Sequence, residues 1–344
     1  MDEGDEEALR TEVPKFGYVK ASSVSDAISL LTTSGGKDRI ISGGSDLLSR
    51  MKNRIETQRP RRVIDISYLG LNYIKYTEAD GLRIGATTNI SDLQNDPTIN
   101  QKYAALSEAA ASVATPQIRN TGTMAGDILQ EVWCWYFRLN YACWRNGGTT
   151  CYGVIGDNRT YHSIFGGRLC YAIHAGDTTQ ALFALDAEVK IAGPGGERTL
   201  SMDQLMPGIN TVDGIVKENM LAYNEILTEV HVPAPSPGTR GAYYKIRDRG
   251  TWDFALASTA AVAVFSGNTV TKARLVLGGV DVVPHRATDA EHFIVGKELS
   301  EDNIAQAAET ALKGATPLTF GTGNAFRVDL AKGAVKKALR MLSA

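Results

Sequence analysis

The sequence predicts an α+β protein built in at least two parts, and three observations carry that expectation. Up to about residue 230, short β-type runs alternate with glycine turns and short helical segments. Residues 233–238 place three prolines and a glycine in six positions, the composition of a linker. Beyond them strands come first and helices follow, as in an antiparallel sheet covered by helices. The 344 residues suit two or three domains, at about 150 residues each.

The elements follow in order. Residues 1–12 are acidic and polar and are expected to fray. Ser25 is expected to cap a helix over 25–34 with apolar positions at Ala27, Ile28, Leu30 and Leu31. Arg39–Ser42 reads as a strand that runs into Gly43-Gly44-Ser45-Asp46 and then a helical LLSRMKN. Strands are expected at Arg62–Ile66 and Gly81–Ile84, the second leading into GATTNISDL, where Asn89 or Ser91 starts a helix. An Ala-rich helix over 102–115 should end at Pro116. Asp177–Leu185 reads as a helix. Glu188–Ala192 reads as a strand closed by the turn Gly193-Pro194-Gly195-Gly196, and Ile226–Val232 as another. After the linker come strands at Ala242–Arg247, Ala257–Phe265 and Lys272–Leu277, then helices at Asp289–Val295, Asp302–Leu312 and Asp329–Leu342.

Composition narrows the function classes. Lys plus Arg is 36 and Asp plus Glu is 38, a formal charge of −2, so neither nucleic acid nor an anionic membrane is expected as partner. No apolar run approaches the roughly 20 residues that cross a bilayer. The start, MDEGDEEALR, has no apolar stretch of a secretory signal. A cytoplasmic location is expected, with export alongside a partner subunit left open.

Two glycine-punctuated loops stand out. Ile41-Ser42-Gly43-Gly44-Ser45-Asp46 lies between a strand and a helix, where backbone N–H groups suit phosphate. It is neither GxGxxG nor GxxxxGK[ST]. Thr121-Gly122-Thr123-Met124-Ala125-Gly126-Asp127 is the second, about 80 residues on, with Arg119 beside it. Singly each reads as a turn; together they suit a dinucleotide diphosphate held from two sides.

The four cysteines are the other constellation. Cys134, Cys143, Cys151 and Cys170 fall within 37 consecutive residues, spaced x8, x7 and x18. Region 131–171 holds ten of the chain's 26 aromatics. Disulfides need an oxidising compartment. Structural zinc usually takes close C-x2–4-C pairs, which are absent. A 4Fe–4S cluster takes four thiolates with looser spacing under an apolar cover. The spacing leaves these readings open. His162 and His174 flank the region and are not expected as ligands.

Six segments in order resemble the FAD-binding medium subunit of molybdenum hydroxylases, the group with xanthine dehydrogenase, carbon monoxide dehydrogenase and bacterial aldehyde oxidoreductases. They are ISGGSDLL at 41–48, GATTNISDL at 85–93, IRNTGTMAGD at 118–127, GDTTQALFALDA at 176–187, EILTEV at 225–230 and YYKIRDRGTWDFALAS at 243–258. The resemblance implies a vanillyl-alcohol-oxidase-type (PCMH-type) FAD fold over 13–232, with subdomains at about 13–70 and 71–232, followed by a C-terminal α+β domain over 239–344. It implies that the backbone of Ser42, Gly43, Gly44, Ser45 and Asp46 holds the diphosphate, with Thr123, Gly126 and Asp127 beside it. Leu47, Thr87, Thr88, Ile118, Thr121 and Gly122 complete the cofactor contacts. Asp177 would meet ribityl or adenosine hydroxyls, and Leu227 and Lys245 would lie near the isoalloxazine edge. A cation there stabilises reduced flavin. A Gly44→Val exchange is expected to harm FAD binding more than folding.

The chain also departs from the pattern. The second loop usually ends Gly-Gly-Asn and here ends Ala125-Gly126-Asp127; a carboxylate must either turn to backbone N–H groups or weaken FAD binding. Of the usual C-terminal Tyr-Arg pair only Arg327 remains. The first histidine is His162, far from the first loop, so FAD attached there through histidine is not expected.

A subset of the family, including 4-hydroxybenzoyl-CoA reductase and a group of aldehyde oxidoreductases, carries an insert at this place that binds a 4Fe–4S cluster; CWYFR at 134–138 and Gly156-Asp157-Asn158-Arg159 look like the aldehyde oxidoreductase version. The implied role is an electron-transfer subunit with no catalytic residue of its own. It would pair with a 2Fe–2S small subunit and a molybdopterin-binding large subunit and exchange electrons with an external acceptor or donor such as ferredoxin, during aldehyde or N-heterocycle oxidation. Reverse flow, as in the benzoyl-CoA-type reductase, is a second reading. A self-standing flavoenzyme with structural zinc, using Tyr244, Arg247 and Asp253, is a third.

Overall fold

The computed structural model describes residues 13–55, 59–167, 169–212 and 215–343; the acidic tail at 1–12 lies outside them. The first unit is a small parallel sheet, order β1-β3-β2, made by β1 (Gly17–Lys20), β2 (Asp38–Ile41) and β3 (Arg62–Asp65). Parallel neighbours need crossovers, and α1 (Val24–Ser34) follows β1 while α2 (Leu47–Lys52) follows β2. Ser23, rather than Ser25, caps α1: its hydroxyl accepts from Asp26 N at 3.0 Å. Asp26 in turn accepts from Ser22, so side chain and backbone satisfy each other two residues earlier than expected.

The second unit is a five-stranded sheet, order β4-β5-β10-β6-β7. β4 (Ile74–Thr77) and β5 (Gly81–Gly85) form a hairpin. The Ala-rich segment gives one helix, Ala104–Ser112, within the expected 102–115, and a break separates it from the short helix before it. After α3 (Ile90–Asn95) come α4 (Pro97–Lys102), α5 (Ala104–Ser112) and α6 (Pro116–Arg119). The break falls at Tyr103, whose backbone (φ −133°, ψ 51°) leaves the helical region. Then α7 (Met124–Ile128) leads into the cysteine region, which holds only α8 (Trp135–Arg138), a 3-10 turn at Trp144–Asn146 and α9 (Tyr152–Ile155). Next come α10 (Asp177–Ala184), β6 (Glu188–Gly193), β7 (Gly196–Ser201), α11 (Met202–Leu205), the two-stranded β8 (Asn210–Val212) and β9 (Ile215–Lys217), and β10 (Ile226–Val232). β7 was not foreseen because it is a polar edge strand, GERTLS, with no apolar alternation.

The third unit is an antiparallel sheet of β11 (Thr239–Ile246), β12 (Ala257–Ser266), β13 (Thr269–Gly278) and β14 (His285–Arg286). It is covered by α12 (Thr288–Ile294), α13 (Glu301–Ala311) and α14 (Phe326–Ser343). β12 reads Ala-Ser-Thr-Ala-Ala-Val-Ala-Val because it is buried on both faces. Ala257, Ala261 and Ala263 face the helices, while Ala260 and Val262 join the core of the second unit. The Pro-rich run 233–238 has no helix or strand, yet the units it joins share this apolar core. No helix among the described residues is long and apolar enough to cross a membrane.

The C-terminal end of the cysteine region is fastened to the third unit. Ile164 N donates to Val280 O at 2.8 Å and His174 N to Asp281 O at 2.9 Å. Arg327, fully buried, donates to the carbonyls of Leu256, Gly279 and His162, so the retained arginine knits the region to the third unit.

Candidate functional site

β2 ends at Ile41 and the chain turns through Ser42–Asp46 into α2. Gly44 sits at φ 72°, and a Cβ at Gly43 would overlap the Thr121 carbonyl oxygen. The two glycine loops therefore touch, and only glycine permits the contact. Ile90 N donates to Gly122 O at 2.9 Å and Met124 N to Thr88 O at 2.9 Å, which holds the second loop against the sheet. Thr123 Oγ1 accepts from Gly126 N and caps α7.

Around this contact lie two cavities of about 190 and 270 Å³. Ser42–Leu47, Thr87 and Leu227 line the first. Ile118, Gly122, Asp127, Asp177, Lys245 and Trp133 line the second. Ser45, Asp46, Thr123, Gly126 and Gln130 line both, which makes one bent cleft. The buried Thr87 Oγ1 in one lobe and Trp133 Nε1 in the other have no hydrogen-bond partner among the described residues. Unsatisfied buried polar atoms facing a cavity are groups that a bound ligand completes. The residues present thus fit an elongated polar ligand whose middle lies on the two loops.

Most of the expected contact residues meet in this cleft; Thr88 and Thr121 do not line it. Thr88 is turned away: its hydroxyl donates to Tyr73 O at 3.0 Å and accepts from Tyr73 N at 3.1 Å. Thr121 contributes its carbonyl to the loop contact, and its hydroxyl faces Gln117 O at 3.4 Å. Leu227 and Lys245 line opposite lobes. Gly44→Val must also be revised. A side chain there would meet Ile41 and Leu48 and require a positive φ, so folding suffers first.

Charge in the cleft is organised by pairs. Asp177 Oδ1 accepts from the Tyr243 hydroxyl at 2.6 Å and Oδ2 from Lys245 Nζ at 2.6 Å, and Lys245 also donates to Ser112 O at 3.2 Å. Asp127 Oδ2 accepts from Thr178 N at 2.9 Å and Thr178 Oγ1 at 2.5 Å, while Gln130 reaches Oδ1 at 2.9 Å. The unusual carboxylate thus turns to a backbone N–H. Its burial, and then the neighbouring Asp177 charge, push its pKa up to about 6. Asp46 is bound by Arg138 at 2.6 Å and Arg50 at 3.0 Å. Burial raises its pKa, but the two guanidiniums outweigh that and hold it below the usual range.

Arg138, Gln130 and Trp133 were not foreseen as cleft residues. The available signal was a cation inside the aromatic run CWYFR, which a buried arginine occupies only with partners. Tyr244, Arg247 and Asp253 form no acid–base set. Tyr244 packs into the helix-covered core on the face of β11 opposite Tyr243, and Asp253 accepts from Tyr161, Asp248 N and Arg249 N.

Cys134, Cys143, Cys151 and Cys170 line one small cavity under Tyr136, Phe137, Trp144, Tyr152 and Tyr171, and all four are free thiols. Burial pushes the Cys134 thiol up to about 12, so a thiolate there needs a positive centre to hold it. His162 Nε2 lies 3.3 Å from Cys134 Sγ and Arg145 Nε 3.3 Å from Cys170 Sγ. Burial lowers the His162 pKa to about 4, so this ring is neutral at pH 7. His174 is taken up by Ile128 O and Gly176 N. Among the described residues, no three His, Cys, Asp or Glu side chains are set to hold a single metal ion. Tetrahedral zinc would need sulfurs roughly 3.8 Å apart.

Comparison with known proteins supplies the family. The FAD binding domain in molybdopterin dehydrogenase matches residues 14–235, and the CO dehydrogenase flavoprotein C-terminal domain matches residues 242–342. The chain is similar to the aldehyde oxidoreductase FAD-binding subunit PaoB of Escherichia coli, with 34% identity over 86% of this chain and 92% of that one. It is similar to the carbon monoxide dehydrogenase medium chain of Hydrogenophaga pseudoflava, with 30% identity over 95% and 96%. The solved carbon monoxide dehydrogenase structure from Hydrogenophaga pseudoflava superposes with a TM-score of 0.74 at 28% identity, covering 96% of this chain and 97% of that one.

Proposed function

The chain belongs to the family of FAD-binding subunits of molybdopterin dehydrogenases, and from that premise we propose that it is the flavin and iron–sulfur electron-transfer subunit of a molybdenum hydroxylase complex. The observation that carries the proposal is the single bent cleft in which the two glycine loops meet. Bound there, FAD converts between paired and single electrons. The backbone of Ser42–Asp46 and the start of α7 would hold its diphosphate. Leu227 and Thr87 would hold one end of it and Lys245 and Asp177 the other. Asp177 orients Lys245.

The division we propose is a PCMH-type FAD-binding domain over 13–232, with subdomains at 13–70 and 71–232, an iron–sulfur insert over 131–171 and a C-terminal domain over 239–344. Cys134, Cys143, Cys151 and Cys170 would hold a 4Fe–4S cluster. Their common cavity, free thiols and aromatic cover support this reading. The subunit would receive electrons from a molybdopterin-binding large subunit through a 2Fe–2S small subunit during aldehyde or N-heterocycle oxidation. It would pass them to an external acceptor such as ferredoxin.

The test is co-purification with the neighbouring subunits, followed by acid precipitation and iron and sulfide assay. Flavin released wholly into the supernatant, with about four irons and four sulfides per chain beyond those of the small subunit, is expected. Flavin left in the pellet, or zinc in place of iron, would overturn the respective assignment.

A further inference from the structure

Arg145 and Glu218 form a buried ion pair behind the cysteine cavity. Nη2 and Oε2 are 2.6 Å apart, and each side chain is 2% exposed. The two residues are 73 positions apart in sequence, so the pair exists only in the folded chain. The guanidinium also aims Nε at Cys170 Sγ, at 3.3 Å, and Nη1 at Glu131, at 3.4 Å. Replacing a buried ion pair by apolar side chains is often neutral or stabilising, so stability alone does not account for it. This pair spends one of its donors on a sulfur that is itself buried.

We propose that Arg145 and Glu218 act as a positioning pair that sets the reduction potential of the iron–sulfur group held by the four cysteines; this rests on the cluster assignment above. Reduction adds one electron and no proton, so the group becomes one charge more negative. An N–H donor and a positive charge at Cys170 favour that change and raise the potential. The Glu218 carboxylate opposes it, and also fixes the guanidinium so that Nε, rather than another nitrogen, faces the sulfur. The two side chains therefore act with opposite sign on one couple.

The test uses the full-length chain purified without oxygen, titrated with dithionite and redox mediators and read by electron paramagnetic resonance of the reduced cluster. Arg145→Gln is expected to lower the midpoint potential and Glu218→Gln to raise it. Each should change the oxidised-to-reduced ratio at fixed poise about tenfold, which is about 59 mV for a one-electron couple. Equal midpoints in wild type and variants, or shifts of the same sign, overturn the proposal. If Arg145→Gln does not retain the cluster, Glu218→Gln decides alone: a raised midpoint supports the pair's role, and an unchanged or lowered one overturns it. A wild-type chain without iron and sulfide fails the cluster assignment, and the pair's role falls with it. A wild type with iron and sulfide but unshifted variants fails the pair's role alone.

Discussion

The Asp46 carboxylate and the Arg138 guanidinium meet at 2.6 Å across 92 residues of sequence. Asp46 ends the first glycine loop, and Arg138 ends the short helix that follows Cys134. The same guanidinium donates to the carbonyls of Glu131, at 2.6 Å, and Val132, at 3.2 Å. One side chain thus ties the first glycine loop to the base of the cysteine region.

Arg138→Met should therefore loosen both sites together. Charged hydrogen bonds of this kind contribute about 1.5–3 kcal/mol, and Asp46 keeps Arg50 as a second partner. The expected result is weaker flavin retention and a lower urea midpoint. Flavin fluorescence and circular dichroism followed in one titration check it; unchanged flavin retention would show that the link is not used.

Asp127 makes stability and flavin binding depend on acid. Its pKa is near 6 in the folded chain against an ordinary 3.8, so the folded state holds the proton more tightly than the unfolded one. That contribution to stability is present below about pH 4 and is lost as pH rises towards 6. Asp127→Asn should flatten the stability profile between those values. It should also tighten FAD binding at neutral pH by removing a negative charge from the cleft lining. Thermal unfolding and flavin titration at pH 4.5, 6 and 7.5 measure both effects.

The Asp177–Lys245 pair is buried, with side chains 5% and 3% exposed. Lys245→Met leaves an unpaired buried carboxylate, a loss of about 3–5 kcal/mol. The double variant Asp177→Asn, Lys245→Met should recover much of that stability without recovering the flavin's redox behaviour. Denaturant unfolding separates the two effects, and equal stability of the single and double variants would argue against the pairing.

Cys143→Ser should remove the proposed cluster while FAD remains, because the cleft between the two glycine loops does not include Cys143. In the assembled complex, substrate should still reduce FAD quickly and exchange with ferredoxin should slow sharply. Stopped-flow absorbance resolves the two steps. Loss of flavin reduction with ferredoxin exchange intact would place the cluster on the main path.

Much of the fold was legible locally. The two glycine loops, the strand of small residues at β12 and the clustered cysteines each declare themselves within a few residues. Backbone freedom, two-sided burial and thiol spacing are properties of short segments. Edge strands such as β4 and β7 escaped, because polar, half-exposed segments carry no strong periodicity. So did the short helix over Pro97–Lys102, whose Thr98, Ile99 and Asn100 are indifferent helix formers.

The sequence by itself determined the order of the segments, the two loops and the four thiols, and through them the family. Only the tertiary structure decided which groups face one another. It turned Thr88 towards Tyr73, put Leu227 and Lys245 in opposite lobes, gave Asp127 the N–H of Thr178 and brought Glu218 to Arg145. The physical reason is that a buried charge or hydroxyl must find a partner wherever the packed sheets leave one. Partners 50 to 90 residues away leave no periodic trace in the chain.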